Sequence, residues 1–241
     1  MRRKLDHLLV IAGFVTIWAL AHQMLGGFVL SSPLQTVTNA AGLLASATFW
    51  PHVWATGSAF LLAVLIAWSA GLLIGALLGL HRSAGDVADP MVGALYAIPK
   101  ITLYPVILLF FGLGLSAKVA FGAIHGIFPV IIFTMSGMRA INPSFLKISR
   151  ALNLTRAATL STIMLPAALP DIMSGLRVGF AAAVLGTLIG EMFASSAGLG
   201  YILMRNISNN DIPMVMALIL LVFLFAIAAN SALLWLERRV L

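Results

Sequence analysis

The chain has 241 residues and a formal net charge of +7, yet only 9% of its residues are charged and 61% are hydrophobic. Its mean hydropathy is +1.08. So few charges cannot cover the surface of a water-soluble domain, and disordered chains and nucleic-acid-binding domains are far more polar. The sequence contains no cysteine, which excludes disulfides, thiolate metal sites and cysteine nucleophiles. The composition therefore predicts an all-α polytopic membrane protein.

Six apolar segments approach the roughly 20 residues that a membrane-spanning helix needs. In chain order, the predicted spans are residues 8–25, 53–80, 90–115, 119–138, 178–193 and 213–235. Pro99 predicts that the third span is kinked or broken, and the charged residues in 81–89 predict a polar loop before it. Arg2-Arg3-Lys4 and the apolar run after it also resemble a signal peptide. We expect a retained span, because the apolar run continues past the cleavage-like site.

An even number of spans places both termini on the same side of the membrane, and the distribution of basic residues predicts that this side is the cytoplasm. With that orientation Lys118 and Arg205 fall outside and Lys100 is ambiguous. The predicted cytoplasmic side carries the remaining eleven of the fourteen basic residues: Arg2, Arg3, Lys4, Arg82, Arg139, Lys147, Arg150, Arg156, Arg177, Arg238 and Arg239.

Small residues recur at four-residue spacing in three predicted spans, which places them on one helix face where two backbones can approach closely. Two interpretations remain open: packing inside one subunit or, for the fifth span, a subunit interface around a pathway. The sets are Gly71, Gly75 and Gly79; Gly122 and Gly126; and Gly175, Gly179, Ala183, Gly186 and Gly190.

Residues 139–176 predict a short helix–turn–helix at the cytoplasmic membrane surface. Asn142-Pro143 is typical of a helix start, and Asn153 of a helix end in left-handed backbone. Thr155 predicts the cap of a second helix, which we expect to end near Met164. Phe145, Leu146 and Leu152 are expected to anchor in the interface, with the basic residues Lys147, Arg150 and Arg156 facing water.

This segment resembles the EAA loop of ABC-importer permeases. The resemblance rests on residues 165–170, Leu-Pro-Ala-Ala-Leu-Pro, and on the following Gly175-Leu176-Arg177. In that family a Glu-Ala-Ala triplet precedes a glycine and then a Leu-Pro pair. The same spacing places Lys147-Ile148-Ser149 at the triplet and Asn153 at the glycine. Asparagine accepts left-handed backbone as glycine does, whereas Lys147 reverses the charge of the glutamate.

Further motifs resemble the sulfonate, nitrate and taurine branch of these permeases, and together they extend over nearly the whole chain. They are Ser32-Pro33, Trp50, His52, Asp89-Pro90, Ile98-Pro99, Pro105, Phe111-Gly112-Leu113-Gly114, Lys118, Gly190-Glu191-Met192, Gly198-Leu199-Gly200 and Leu236-Glu237-Arg238-Arg239.

The resemblance implies a six-helix permease of the type I ABC-importer fold, with cytoplasmic coupling helices and a location in the bacterial inner membrane. Residues 1–50 would form the N-terminal span and outer connection, and residues 51–241 the permease domain with an EAA-like loop at about 142–170. The implied partners are a second copy of the chain, a cytoplasmic ATPase dimer and an extracytoplasmic solute-binding protein. The implied contacts with the ATPase are Lys147, Ser149, Arg150, Ala151, Leu152, Asn153 and Leu154.

The chain itself is expected to be neither an enzyme nor a cofactor carrier. The sequence has no Gly-x-x-x-x-Gly-Lys-Ser/Thr motif, so ATP must be bound by the partner. The motifs of an intramembrane metalloenzyme or serine hydrolase are also absent from the sequence, and no metal site is predicted. The alternative, a self-sufficient secondary transporter, predicts paired intramembrane acids or inverted repeats, and the sequence shows neither.

Three ionisable residues in the predicted spans are candidates for a gate or pathway. Glu191 near the outer end of the fifth span has structural hydrogen bonding as its alternative. His125 has ordinary packing as its alternative, and Lys100 has snorkelling to the interface. The resemblance implies a small polar or anionic solute delivered by the binding protein, and the sequence does not identify it.

Overall fold

The computed structural model describes the backbone of residues 2–240; Met1 and Leu241 lie outside it, as do the side chains of residues 2–5, 7, 8, 82, 146, 194 and 236–240. The predicted interfacial anchor Leu146 and the side chains of the basic cluster Arg2-Arg3-Lys4 therefore lie outside the described residues. Within the described part the chain is helical, without a strand, as the composition predicts.

The described α-helices occur in two groups along the chain. The first group is α1 (Arg2–Leu25), α2 (Pro33–Ala45), α3 (Trp50–Leu80), α4 (Arg82–Ala97), α5 (Tyr104–Phe111) and α6 (Leu115–Arg139). The second group is α7 (Pro143–Ala151), α8 (Arg156–Thr159), α9 (Leu165–Ala194), α10 (Leu199–Ser208) and α11 (Ile212–Val240). Helices α2 and α10 lie in segments that the sequence analysis treats as connections.

Among the described residues, four helical stretches are long and apolar enough to cross a membrane: Trp50–Leu80, Leu115–Arg139, Arg156–Phe193 and Ile212–Trp235. The pair Ser83–Ala97 and Lys100–Phe111 makes a fifth if the two count as one bent span. The apolar part of α1, Leu9–Leu25, is shorter than a full span. The count of six therefore stays a prediction.

The third predicted span is broken where Pro99 predicts it. Helix α4 ends at Ala97, a short 3-10 turn covers Lys100–Leu103, and the two halves of the pair are bent by 82°. The predicted polar loop before this span is wrong, because residues 82–89 are the start of α4. Pro90 is tolerated inside α4 since its missing N–H costs only one hydrogen bond of the ladder.

The predicted end of the second hairpin helix near Met164 is also wrong. Helix α8 passes through a π turn, Leu160–Met164, directly into α9, so that residues 156–193 form one continuous span. A π turn changes the hydrogen-bonding pattern, and Pro166 follows it in the first turn of α9, where proline is tolerated. Pro170 lies inside α9 without ending it.

Helix α6 is packed between α3 and α9 at distances that only glycine allows. A Cβ atom added at Gly71, Gly75 or Gly79 of α3 would lie 2.6–2.7 Å from a Cβ of α6. On the other side, a Cβ at Gly175 or Gly179 of α9 would lie 2.6 Å from α6 side-chain atoms. Such distances are sterically excluded, so the small residues allow the two backbones to approach.

This packing decides between the two interpretations of the small residues. Gly186 of α9 lies against His125, and Gly190 lies against Lys118 and Phe121 of the same chain. The small-residue face of the fifth span therefore packs against α6 inside the subunit.

The packing predicts that two chemically identical substitutions in α3 differ in effect. Gly75→Ala places its new methyl group 2.7 Å from Thr134 Cβ and 2.8 Å from Ile131 O, whereas a Cβ at Gly57 meets no atom within 4 Å. Overpacking costs about 1–3 kcal/mol, while Gly→Ala in an open helix position gains about 0.5–1 kcal/mol.

We therefore expect Gly75→Ala to lower the apparent Tm of the detergent-solubilised protein by several degrees, and the matched control Gly57→Ala to leave it unchanged or raised. Size-exclusion chromatography after heating measures both. Equal melting of the two variants would contradict the glycine packing.

Candidate coupling hairpin and intramembrane charges

Helices α7 and α8 form the predicted hairpin. The side chain of Asn142 accepts a hydrogen bond from Ser144 N at 2.9 Å, and that of Thr155 accepts one from Ala158 N at 3.2 Å. Asn153 has φ +50°, and the turn is closed by Leu154 N donating to Ser149 O at 3.0 Å. Both predicted caps and the left-handed turn are confirmed.

The two faces of α7 differ in exposure. The side chains of Lys147, Arg150, Leu152 and Asn153 are exposed, and Leu152 is 64% exposed. Ser149 differs from the other predicted ATPase contacts, because it is only 5% exposed and lies on the inner face. In this conformation Ser149 packs within the chain and does not present itself to a partner.

Further members of the predicted contact set lie around the turn. Ala151 is exposed and Leu154 is half-buried. Leu154 lines an open cavity of about 820 Å³, together with Leu80 at the end of α3 and Arg156. The hairpin therefore stands away from the end of α3, with its exposed face turned outward.

The base of the hairpin is tied to α4 by charge. Arg139, three residues before Asn142, forms ion pairs with Asp86 and with Asp89, the latter at 3.4 Å. The two carboxylates lie one turn apart on the same helix, so one guanidinium can hold both. This contact joins the cytoplasmic end of α6 to the cytoplasmic end of α4.

Glu191 lies in a closed network at the other end of α9. Its side chain is completely buried, and Lys118 Nζ donates to its Oε1 at 3.3 Å. Thr56 Oγ1 is 2.9 and 2.8 Å from its two carboxylate oxygens, and Gly200 N donates to Oε2 at 3.0 Å. The network therefore joins α3, α6, α9 and α10, and it favours the structural alternative for Glu191.

The same network fixes the loop between α9 and α10. Lys118 Nζ also donates to Ala197 O at 2.6 Å, and Leu199 N donates to Thr56 Oγ1 at 2.7 Å. Gly198 N donates to His52 Nδ1 at 3.1 Å. Gly198 itself has φ +126°, and a Cβ there would collide with the Glu191 carboxylate. Only glycine fits at this position.

Lys100 lies at the break between α4 and α5. Its Nζ donates to Tyr96 O at 2.8 Å and lies 4.5 Å from the centroid of the Tyr96 ring and 5.4 Å from that of Phe128. Lys100 is half-buried, so one side of the ammonium group is covered by aromatic rings and the other is accessible.

His125 lies on α6, one turn before Phe128. Its Nδ1 is 2.8 Å from Phe121 O, and its ring packs against the Phe121 ring at 4.6 Å between centroids. Since a carbonyl oxygen only accepts, the Nδ1 atom carries the proton and Nε2 of the neutral ring is an acceptor. The structure thus separates the three candidate pathway residues: Glu191 in the buried network, Lys100 at the helix break, and His125 on α6.

Sequence reasoning missed the partners of Glu191. Lys118 and Thr56 are 73 and 135 positions away from it, so no local spacing connects them. The motif Gly198-Leu199-Gly200 carried the available signal, because it marks where backbone N–H groups meet the carboxylate. Among the described residues no group of three His, Cys, Asp or Glu side chains could hold a metal ion.

These features define a multi-pass helical membrane protein with charged residues buried inside it, and comparison with known proteins identifies the family. Residues 69–241 match the model of the binding-protein-dependent transport system inner membrane component. The chain belongs to this family.

Several known proteins are similar over most of their length. An aliphatic sulfonates transport permease protein of Bacillus subtilis (strain 168) is 29% identical, with 97% of this chain and 86% of that protein covered. The formylaminopyrimidine transport permease protein of Halalkalibacterium halodurans is 28% identical, with 94% and 91% covered. A solved chain of the MetNI methionine ABC transporter, in an inward-facing conformation, has the same fold with a TM-score of 0.64 at 18% identity, covering 80% of this chain and 95% of that one.

The protein is accordingly a permease subunit of an ABC importer, as the EAA-like motif predicts, and a transport subunit rather than an enzyme. The secondary-transporter alternative is not favoured. Systems of this family combine such an inner-membrane component with an ATPase and a solute-binding protein.

The Glu191 network predicts a non-additive response to mutation. Removing one partner of a buried ion pair leaves an uncompensated charge and costs about 3–5 kcal/mol, whereas replacing both removes that penalty. We expect Glu191→Gln and Lys118→Met each to lower the apparent Tm strongly, and the double variant to recover a large part of the loss. Additive losses in the double variant would show that the two side chains do not interact.

Proposed function

We propose that this permease couples to its ATPase through the hairpin of α7 and α8. The supporting observation is the exposed, capped hairpin whose turn requires left-handed backbone at Asn153. A short rigid element with an exposed face suits a contact that transmits displacement from a separate subunit. The proposed contact residues are Lys147, Arg150, Ala151, Leu152, Asn153 and Leu154, with Ser149 positioning α7 from its buried face.

The assembly we propose contains two copies of this chain, two ATPase subunits on the cytoplasmic side and one binding protein on the outer side. Its support is the charge distribution, since the orientation with both termini in the cytoplasm leaves Lys118 and Arg205 outside. Residues 1–50 then form the N-terminal span with its outer connection, and 51–241 the permease domain. ATP is bound by the partner, and this chain carries no cofactor.

The proposed transport cycle is alternating access driven by the ATPase. ATP binding draws the two ATPase subunits together, and the hairpin follows them. The ion pairs of Arg139 with α4, and the continuous helix from α8 into α9, link that displacement to the membrane-spanning part. The solute is small and polar or anionic, by analogy with the solutes named for the sulfonate and formylaminopyrimidine relatives.

The turn at Asn153 provides a direct test of coupling. At φ +50° a β-branched side chain is strained by roughly 1–2 kcal/mol, whereas glycine is not. We expect Asn153→Val to reduce the stimulation of ATP hydrolysis by the loaded binding protein, and Asn153→Gly to retain it. The assay is phosphate release by the reconstituted complex. Normal stimulation in Asn153→Val would overturn the proposed role of the turn.

Arg150 tests the docking face itself. Its exposed guanidinium lies on the face that we assign to the ATPase, so Arg150→Glu should reduce the amount of ATPase that co-purifies with the tagged permease. Arg205→Glu, a matched charge reversal in α10 on the predicted outer side, should leave co-purification unchanged. Equal recovery of ATPase with both variants would remove Arg150 from the interface.

A further inference from the structure

Lys100 places an ammonium group near the middle of the membrane-spanning part. Its Nζ lies 5.4 Å from the centroid of the Phe128 ring on α6. Phe128 is ten residues from Lys118, which belongs to the network around Glu191, and eleven from Arg139, which pairs with the start of α4. At 1.5 Å per residue, about 15 Å of helix separates Phe128 from either of these charged ends.

This depth excludes snorkelling as the explanation of Lys100. A lysine stem spans only about 6 Å, so the ammonium cannot reach a headgroup from mid-membrane. In the structure the side chain instead turns back along α4, where Nζ donates to Tyr96 O at 2.8 Å. A cation held at this depth is costly, and such residues usually face a pathway or a water-filled cavity.

The surroundings attract the ammonium group without neutralising it. The faces of Tyr96 and Phe128 contribute cation–π contacts, which carry no net negative charge. No carboxylate of the described residues forms an ion pair with Lys100, whereas Lys118 is paired with Glu191. The charge of Lys100 therefore remains to be balanced by something that is not part of the described protein.

Neither of the other two candidates can bind an anion in this way. Glu191 is itself an acid and is completely buried in its own network. The Nδ1 proton of His125 is committed to Phe121 O, so its neutral ring offers only an acceptor at Nε2. Lys100 is left as the donor.

We propose that Lys100 binds the oxyanionic group of the transported solute in a half-buried site beside the rings of Tyr96 and Phe128. The inference rests on the proposed function and names its substrate class: small solutes that carry a sulfonate, carboxylate or carbonate group. The rings exclude water from one side of the ammonium, which strengthens its attraction for an oxyanion relative to bulk water.

The first experiment measures uptake by the complex of permease, ATPase and binding protein in liposomes. The probes are radiolabelled ethanesulfonate, taurine and bicarbonate, with a neutral aminopyrimidine as reference. We expect the parent complex to import at least one anionic probe, Lys100→Gln to reduce that uptake about tenfold or more, and Lys100→Arg to remain within about threefold. Ile101→Ala, at the adjacent exposed position, should behave as the parent.

A second experiment guards against misfolding and uses the absence of cysteine from the chain. Lys100→Cys is purified with its ATPase and treated with aminoethyl methanethiosulfonate, which restores an ammonium on a chain that is already folded. Recovery of anion uptake supports the proposal. Modification at this position without any recovery would overturn it.

The source of the oxyanion is decided by varying the lipid. If Lys100 served a phospholipid headgroup, the defect of Lys100→Gln would depend on the fraction of phosphatidylglycerol and would affect neutral and anionic probes alike; that outcome overturns the proposal. Import of only the neutral probe, of none of the anions, or undiminished anion uptake by Lys100→Gln also overturns it, while the proposed function stands. ATP-independent uptake by the parent would instead contradict the proposed function.

Discussion

Helix α6 shares its two flanks with α3 and α9, and the glycine rows on those neighbours set how close the three backbones lie. Lipid provides no hydrophobic drive for helices to associate, so this contact must be held by close packing and by polar contacts between helices. The rows run from the level of Gly190 to that of Gly79, so they order the helices along most of the length of α6. Each charged residue discussed above takes its position from this arrangement.

The charges in the membrane-spanning part follow two different rules. Lys118 and Glu191 are buried together and satisfied by backbone groups of the α9–α10 loop, so they stabilise one arrangement of four helices. Lys100 is only half-buried and lies against aromatic rings without an acid. Because unpaired charge is expensive in this environment, the difference separates a structural pair from a group available to a ligand.

Local backbone chemistry could be predicted from the sequence, while contacts between distant segments could not. Pro99 removes a donor and Asn153 tolerates positive φ, so the helix break and the hairpin turn are encoded within a few residues. The partners of Glu191 come from α3 and α6, far away in sequence. The continuity of α8 and α9 was also missed, because a π turn is a cooperative adjustment that Leu165-Pro166 does not reveal.

The uninterrupted helix from Arg156 to Phe193 makes the permease resemble a stiff rod with one weak point. Its 38 residues span about 57 Å at 1.5 Å per residue, from beside the hairpin turn to beyond Glu191. Bending of a helix concentrates where the regular hydrogen-bond ladder is altered, and the π turn at Leu160–Met164 is such a place. A torque applied at the cytoplasmic end is thus absorbed or passed on according to the compliance of those five residues.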